Sequence, residues 1–317
     1  MGGREHLIAH PDRRAVALGL ASGLLAAPSL VRAEPPPDPA PPAVHDPEAA
    51  VPDSVLAASV DLSDRMSVPV TINGRGPFPF IVDTGANRTV VSDSLARQLR
   101  LPSAGTLQIR AATALAKTGS ARVASLTVGH RQLTDFLAPV LEQDNLGALG
   151  MLGIDAVANQ RLVMDFRKKQ MTISATQRRE SDAGTLVVQA KSRYGQLLLV
   201  DSWVEGIPLY VIIDTGSEVT LGNMAMRSFL ARRRAQASEV VSVTGDRASV
   251  DLGMLPQLHI GQVVVLNQQV AYADLYVFEQ LGLHGKPSML LGMSTLRQCS
   301  KVSIDFPARE VRFLLEA

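Results

Sequence analysis

Beyond residue 60, apolar and polar residues alternate with turn residues in a pattern typical of β-hairpins. In the first half of the chain, an apolar-rich stretch over 66–72 is followed by the turn Asn73-Gly74 and a second apolar stretch over 78–82. Two such stretches flanking an Asn-Gly turn predict an antiparallel hairpin. The second strand runs directly into Asp83. The hairpin is therefore expected to place a carboxyl group at the end of a buried strand.

The second half of the chain shows the same arrangement. A stretch over 196–204 leads to the turn Glu205-Gly206, and an apolar stretch over 209–213 runs into Asp214. Propensity and turn chemistry again predict a hairpin. Both halves thus deliver one aspartate from the end of an apolar strand.

The elements that follow each aspartate also recur in the same order. In the first half they are a β-branched stretch over 89–91, a short helix over 94–99, a Met-Leu-Gly element at 151–153 and a strand pair around Asp165-Phe166. In the second half they are a stretch over 219–221, a helix over 224–235, a Leu-Leu-Gly element at 290–292 and a strand pair around Asp305-Phe306. Recurrence of landmarks in one order predicts a duplicated lobe. Asp165 and Asp305 are interpreted as structural hydrogen-bonding residues.

Each of the two aspartates begins an Asp-Thr-Gly sequence, at 83–85 and at 214–216. At ordinary residue frequencies of roughly 5–7%, about 0.06 such tripeptides are expected by chance in a chain of this length. One copy alone would be read as a turn with a local side-chain hydrogen bond. Two copies in matching contexts favour a shared chemical role.

On these residues the chain resembles the retropepsin-like aspartic peptidases, with two lobes fused in a pepsin-like arrangement over about residues 60–317. The run Pro287 to Met293, followed by Ile304-Asp305-Phe306, is also similar to exported retropepsin-like peptidases of Gram-negative bacteria. The resemblance implies an all-β fold of two acid-protease β-barrel lobes with short helices. It also implies an active site at the lobe interface.

The resemblance further implies an aspartic endopeptidase that hydrolyses peptide bonds in proteins or peptides. Asp83 and Asp214 would be catalytic and would share one proton, because two adjacent carboxylates do not both ionise easily. One would activate a water as general base while the other polarises the scissile carbonyl. This chemistry predicts no metal and no cofactor.

The residues around the two aspartates are predicted to support the active-site turns. Thr84 and Thr215 resemble the interlocked threonines of the family. Gly85 and Gly216 lack a Cβ and would allow close approach of the opposite lobe. The following residues differ, with Ala86 in one half and Ser217 in the other. We expect the Ser217 hydroxyl to donate to Asp214, which would make Asp214 the more readily ionised partner and Asp83 the proton carrier.

The family also closes a glycine-containing β-hairpin flap over its substrate. Two segments fit this description, 107–126 with Gly119 and 240–258 with Gly245 and Gly253. Neither contains a tyrosine, which favours retropepsin-like flaps over the pepsin-like form.

The first 54 residues differ in composition from the rest. Arg13-Arg14 precede an apolar run that ends at Val31-Arg32-Ala33, which predicts a signal peptide over 1–33 and favours the twin-arginine route. A proline-rich linker is expected over 34–54, then an N-terminal lobe over 55–180 and a C-terminal lobe over 181–317. A periplasmic or secreted protein is expected, with no stable membrane insertion after cleavage. An uncleaved leader would tether it to the membrane.

Composition narrows the range of functions further. The net charge of +1 argues against nucleic acid as a partner. The single cysteine, Cys299, rules out an intramolecular disulfide and multi-cysteine metal sites. A protein or peptide substrate is the expected partner, and a monomer is favoured because the duplication supplies both halves of the site. A non-catalytic peptide-binding module and an intracellular processing enzyme remain as alternatives.

Overall fold

The computed structural model describes residues 54–60, 65–174, 184–230 and 236–315. The predicted signal peptide over 1–33, the linker except Ser54, and the end of the helix predicted over 224–235 lie outside these ranges. The described chain consists mainly of β-strands with short helices, so the predicted all-β class is confirmed. No helix within these ranges is long and apolar enough to span a membrane.

The elements of the first lobe follow one another in a fixed order. They are β1 (Ser54–Ala57), β2 (Ser59–Val60), β3 (Met66–Ile72), β4 (Arg75–Val82), β5 (Val90–Ser92), α1 (Asp93–Leu99), β6 (Ser103–Arg110), β7 (Leu115–Val128), β8 (Arg131–Leu141), α2 (Gln143–Leu146), β9 (Gly150–Leu152), α3 (Ile154–Val157), β10 (Arg161–Asp165) and β11 (Gln170–Ser174).

The second lobe contains elements of the same types. They are β12 (Thr185–Arg193), β13 (Gln196–Leu199), β14 (Ser202–Val204), β15 (Ile207–Pro208), β16 (Tyr210–Ile213), β17 (Thr220–Gly222), α4 (Met224–Phe229), β18 (Gln236–Val241), β19 (Arg247–Ile260), β20 (Val263–Tyr272), α5 (Tyr276–Gln280), β21 (Ser288–Leu291), α6 (Met293–Leu296), β22 (Cys299–Asp305) and β23 (Glu310–Leu315).

The first lobe closes into a β-barrel. Strand pairing runs in the order β3, β4, β9, β5, β8 and β7, and β7 pairs back onto β3. The β4–β9 and β5–β8 pairs are parallel, and the pairs between β9 and β5 and between β3 and β4 are antiparallel. Because β4 is buried over Phe80–Val82, its end delivers Asp83 to the interior of the molecule.

The second lobe repeats this pairing with one difference. Here β16, β21, β17, β20 and β19 take the places of β4, β9, β5, β8 and β7. The strand predicted over 196–204 is divided into β13 and β14, because Asp201 takes a left-handed conformation with φ of 55°. β13 pairs with β16 and β14 pairs with β19. The undivided β3 makes both pairings in the first lobe, around an irregularity between Val70 and Ile72.

The two lobes are joined by a shared sheet in the order β1, β11, β10, β22, β23, β12. The central pair, β10 with β22, brings one strand from each lobe together, with Val163 opposite Ser303. The Asp-Phe turns lie at the ends of β10 and β22. Asp165 accepts from the Lys168 amide and Asp305 from the Ala308 amide, each at 2.9 Å. This is the structural role predicted for both residues.

The helices are short and begin at side-chain caps where the sequence supplies them. The Ser92 hydroxyl accepts from the Leu95 amide at the start of α1, and the Asn223 side chain accepts from the Met226 amide at the start of α4. Such caps satisfy amide groups that have no partner within the helix. α1 confirms the helix predicted over 94–99, whereas the described part of the second predicted helix ends at Phe229.

Candidate active site

Asp83 and Asp214 lie at equivalent turns, one at the end of β4 and one at the end of β16. Each turn holds its own carboxyl group through backbone amides. Asp83 Oδ1 accepts from the amides of Gly85 at 2.7 Å and Ala86 at 3.2 Å. Asp214 Oδ1 accepts from the amides of Gly216 at 3.0 Å and Ser217 at 3.2 Å. The four donors fix both carboxyl groups in one orientation.

The threonines of the two turns hydrogen-bond across the boundary between the lobes. The Thr84 hydroxyl donates to the Ile213 carbonyl at 2.9 Å and accepts from the Thr215 amide at 3.2 Å. Reciprocally, the Thr215 hydroxyl donates to the Val82 carbonyl at 2.7 Å and accepts from the Thr84 amide at 3.1 Å. Both threonines are buried. Each hydroxyl therefore fills a donor and an acceptor role on the opposite lobe.

Gly85 and Gly216 each face the aspartate of the other lobe. A Cβ on Gly85 would lie 2.8 Å from Asp214 Oδ1, and a Cβ on Gly216 would lie 2.1 Å from the Asp83 carboxyl carbon. Both distances are below van der Waals contact, so glycine is required at both positions. The absence of a Cβ lets the two carboxyl groups approach each other.

A second pair of glycines, Gly153 and Gly292, hydrogen-bonds to residues that follow the two turns. The Gly153 amide donates to the Thr89 hydroxyl at 3.2 Å, and the Gly292 amide donates to the Thr220 hydroxyl at 3.1 Å. The residues that follow these glycines donate to Ala86 and Ser217, since Ile154 N lies 2.8 Å from the Ala86 oxygen and Met293 N lies 2.9 Å from the Ser217 oxygen. The structure thus brings all eight predicted site residues into one two-fold-related arrangement.

The two carboxyl groups hydrogen-bond to each other and differ in their acidity. Burial, followed by the negative charge of Asp83, raises the pKa of Asp214 to about 8. Burial also raises the pKa of Asp83, but the Gly85 and Ala86 amides, the hydrogen bond with Asp214 and the positive charge of Arg65 oppose that rise. The pair therefore holds one proton over a wide pH range, and the positive charge of Arg65 favours the ionised form of Asp83.

The structure lacks the hydrogen bond that was expected to make Asp214 the more readily ionised partner. The Ser217 hydroxyl donates to the Val219 carbonyl at 2.8 Å instead of to Asp214. Asp214 accepts a hydrogen bond from the Ser217 backbone amide, just as Asp83 accepts one from the Ala86 amide. The hydroxyl of Ser217 is used within its own turn, so the Ala86/Ser217 difference does not distinguish the two carboxyl groups.

Both candidate flap segments form β-hairpins. β6 and β7 turn at residues 111–114, and β18 and β19 turn at residues 242–246. Gly245 lies at the second tip with φ of 84°, whereas Gly119 lies within the strand β7 and Gly253 within β19. The flap glycine prediction therefore fits the tip of the second hairpin alone.

Each flap tip contacts the opposite lobe. The Ala112 carbonyl of the first flap accepts from the Val277 amide of α5 at 3.1 Å. In the second flap, Val243 packs against a first-lobe apolar cluster that includes Leu146 of α2. Ala86 and Ile109 pack against the same cluster. The flaps are consequently crossed, and apolar side chains connect the Asp83 turn to both of them.

Three polar residues at the site were missed from the sequence. Asp155 accepts from the amide and hydroxyl of Thr89 at 2.9 and 2.7 Å, and burial raises the pKa of its carboxyl group. Arg65 and Gln196 each precede an aspartate by 18 residues. Aligning the two halves on their Asp-Thr-Gly sequences would have paired Arg65 with Gln196 and drawn attention to both.

The described part of the chain contains no group of three or more histidine, cysteine or acidic residues placed to bind a metal ion. Cys299 is buried, and burial raises the pKa of its thiol to about 11, so the thiol remains protonated at neutral pH.

Two protein-family models match the chain, one in each lobe. The model described as gag-polyprotein putative aspartyl protease matches residues 68–159, and the model described as aspartyl protease matches residues 200–295. The first range contains Asp83 and the second contains Asp214. No curated protein matches the sequence significantly.

The tandem matches and the two β-rich lobes together support a protease function in general. The chain belongs to the retropepsin-like aspartic peptidases, in a form that carries two lobes in one polypeptide.

Proposed function

We propose that this protein is an aspartic endopeptidase that hydrolyses peptide bonds in proteins or peptides, with Asp83 and Asp214 as its catalytic residues. The observation that carries the proposal is the pair of hydrogen-bonded carboxyl groups with unequal acidity, each held by two backbone amides of its own turn. Such a pair retains one proton over a wide pH range and can therefore act as acid and base together.

The reaction follows from that protonation state. Ionised Asp83 accepts a proton from a water molecule, and the water oxygen bonds to the carbonyl carbon of the scissile peptide. Protonated Asp214 donates to the carbonyl oxygen and stabilises the charge that develops there. The resulting gem-diol collapses when Asp83 gives the proton it took from water to the amide nitrogen, one gem-diol hydroxyl returns a proton to Asp214, and the carbon–nitrogen bond breaks. The products are a carboxylic acid and an amine.

The surroundings of the Asp83–Asp214 pair, called the dyad below, suit an extended peptide substrate. Each flap tip contacts the opposite lobe, and flaps closed over a bound peptide would shield the reaction from bulk water and strengthen its electrostatic interactions. Flap opening would admit the chain to be cut. Because one chain supplies both aspartates, we propose that the active form is a monomer.

The proposal is tested by assaying the full chain on a mixed peptide library between pH 3 and 8. Asp83→Asn and Asp214→Asn should each lower cleavage by at least about a thousandfold, because either change removes a proton-transfer group. Asp135→Asn is the matched control, since Asp135 is an exposed aspartate that pairs with Arg122 on the surface. Cleavage that survives either dyad variant would refute the assignment.

A non-catalytic peptide-binding module is the second candidate function. The unpartnered amide oxygen of buried Gln196, beside the Asp83 turn, is a group that a bound peptide amide could satisfy without being cut. Isothermal titration of the same library would separate the two functions. Binding without cleavage by the wild-type chain at any pH in that range would favour the binding module.

We also propose that the protein acts in the periplasm or as a secreted protein. This rests on the apolar run after Arg13-Arg14 and the small residues at 31–33. Fractionation of cells that express a C-terminally tagged chain tests it, with Arg13→Lys/Arg14→Lys as the matched variant. Wild-type protein retained in the cytoplasm would favour the intracellular processing enzyme instead.

A further inference from the structure

Two residues outside the Asp-Thr-Gly turns occupy equivalent places beside the dyad. In the first lobe Ser67 lies opposite Ile81 across the β3–β4 pair. Extending this register by two residues, back from Ser67 and forward from Ile81, places Arg65 opposite Asp83. In the second lobe Leu198 lies opposite Ile212, so the register places Gln196 opposite Asp214. The two-fold relation of the lobes therefore pairs an arginine with a glutamine.

Arg65 brings a buried positive charge to the first lobe. Its side chain is only 7% exposed, and its Nη2 donates to the Leu146 carbonyl at 3.0 Å. A Cβ on Gly147 would lie 2.6 Å from Nη2, so the guanidinium packs tightly against the end of α2. These contacts hold the charge in place, and that charge lowers the pKa of Asp83.

Gln196 occupies the matching position without a charge. It is 5% exposed, and its Nε2 donates to the Gly85 carbonyl at 2.7 Å, which is part of the Asp83 turn. Its side-chain oxygen makes no hydrogen bond within the described residues. No positive charge thus acts on Asp214 from the position that matches Arg65. The charge of Arg65 acts on Asp83, and the charge of Asp83 acts on Asp214.

We propose that Arg65 and Gln196 are positioning residues that make the two lobes chemically inequivalent, with Arg65 selecting Asp83 as the base and leaving the proton on Asp214. This inference rests on the proposed function, and it identifies the residues that give the two aspartates different acid and base roles in an otherwise two-fold-related site. A nearby positive charge favours the ionised form of a carboxyl group, whereas a neutral amide does not. Gln196 completes the division by fixing the backbone of the Asp83 turn.

The test follows the two carboxyl groups directly by NMR. The full chain, labelled with carbon-13 at the aspartate carboxyl carbons, is titrated from pH 3 to pH 9, and the Asp83→Asn and Asp214→Asn variants assign the signals. We expect Asp83 to ionise in the lower step and Asp214 in the upper step. This readout needs no substrate, so a lack of peptidase activity would sink the proposed function and leave this measurement intact.

Arg65→Gln gives both lobes a glutamine at the matched positions 65 and 196. We expect the lower step to move up by about one pH unit and the first ionisation to be shared more evenly between the two aspartates. Arg65→Lys keeps the charge and should preserve the wild-type order, which a merely structural role for Arg65 would not predict. If the enzyme is active, the acid limb of its kcat/KM profile should shift with the lower step.

Gln196→Lys provides an independent test in case Arg65→Gln fails to fold. It adds a charge beside Asp214 and leaves Arg65 in place, so the upper step should move down by about one pH unit. A folded Arg65→Gln variant with the wild-type titration would overturn the proposal. So would a folded Gln196→Lys variant whose upper step is unchanged.

Discussion

The Thr84 hydroxyl donates to the Ile213 carbonyl of the opposite lobe at 2.9 Å, one residue before Asp214. The Thr215 hydroxyl makes the reciprocal bond to Val82, one residue before Asp83. Each Asp-Thr-Gly turn is therefore held by a side chain that the other lobe supplies. This relationship explains why two lobes with separate barrels place their carboxyl groups at a fixed separation.

Loss of the Thr84 hydroxyl should weaken the site and the fold together. Thr84→Val leaves the Ile213 carbonyl and the Thr215 amide without their partner in a buried place. We expect the free energy of unfolding to fall by about 1–3 kcal/mol, measured by urea denaturation. Thr84→Ser keeps the hydroxyl and should retain most of the stability. A Thr84→Val variant with the stability of the wild type would show that these hydrogen bonds do not stabilise the protein.

A methyl group at Gly216 should disable the dyad. The new Cβ would lie 2.1 Å from the Asp83 carboxyl carbon, so the Asp83 side chain or the turn must move. We expect Gly216→Ala to lower kcat/KM for peptide cleavage by at least about a hundredfold, because misplaced catalytic groups lose their near-attack geometry.

The control for this change is Gly119→Ala in the strand β7. A Cβ on Gly119 would meet no atom within 4 Å, so this variant should cleave peptides at close to the wild-type rate. Wild-type activity in Gly216→Ala would mean that the turn tolerates the displacement.

Stability should fall as the pH rises through the neutral range. The pKa of Asp214 is raised from its ordinary 3.8 to about 8 in the folded protein. Between these values the folded state binds a proton that the unfolded state has released, so the contribution present at about pH 4 is lost as the pH approaches about 8. Asp214 alone contributes a slope of at most about 1.4 kcal/mol per pH unit.

Asp214→Asn cannot ionise and should remove most of this dependence. Urea denaturation at pH 5, 6.5 and 8 measures the slope for each protein. Asp135→Asn, which alters an exposed carboxyl group, should keep the wild-type slope. Parallel curves for the wild type and Asp214→Asn would contradict the raised pKa.

The second flap should open when its tip loses its apolar contact. Val243 packs against the first-lobe cluster around Leu146, whereas Val241 on the same hairpin is 55% exposed. We expect Val243→Ser to increase hydrogen exchange over residues 236–260 with little change in the β10 and β22 strands. Val241→Ser removes the same atoms from an exposed position and should leave exchange unchanged. Similar exchange in the two variants would show that the tip contact does not hold the flap.

Much of the fold could be predicted from local patterns. β3 has the predicted bounds, and α1 begins one residue before the predicted helix, because strand periodicity and a Ser92 cap are encoded by neighbouring residues. The division at Asp201 was not predicted. It arises because β13 and β14 pair with different strands, and such pairing depends on residues distant in sequence.

The same distinction applies to the dyad. The duplication and the two Asp-Thr-Gly sequences fix the identity of the aspartates and the need for glycine beside them. A hydrogen bond from the Ser217 hydroxyl to Asp214 was wrongly predicted, because the acceptor of a hydroxyl proton depends on the local turn, and here it is the Val219 carbonyl. The position of Arg65 beside Asp83 follows from strand register.

The sequence by itself determined that this chain is a duplicated, all-β member of the retropepsin-like aspartic peptidases, with one Asp-Thr-Gly aspartate in each half. The tertiary structure alone decided how the two halves differ. It places a buried guanidinium beside Asp83 and a neutral amide opposite Asp214, and it crosses the two flaps onto opposite lobes. The physical reason is that charge and burial act on a carboxyl group through space. Residues that are distant in sequence can therefore change the pKa of the same aspartate.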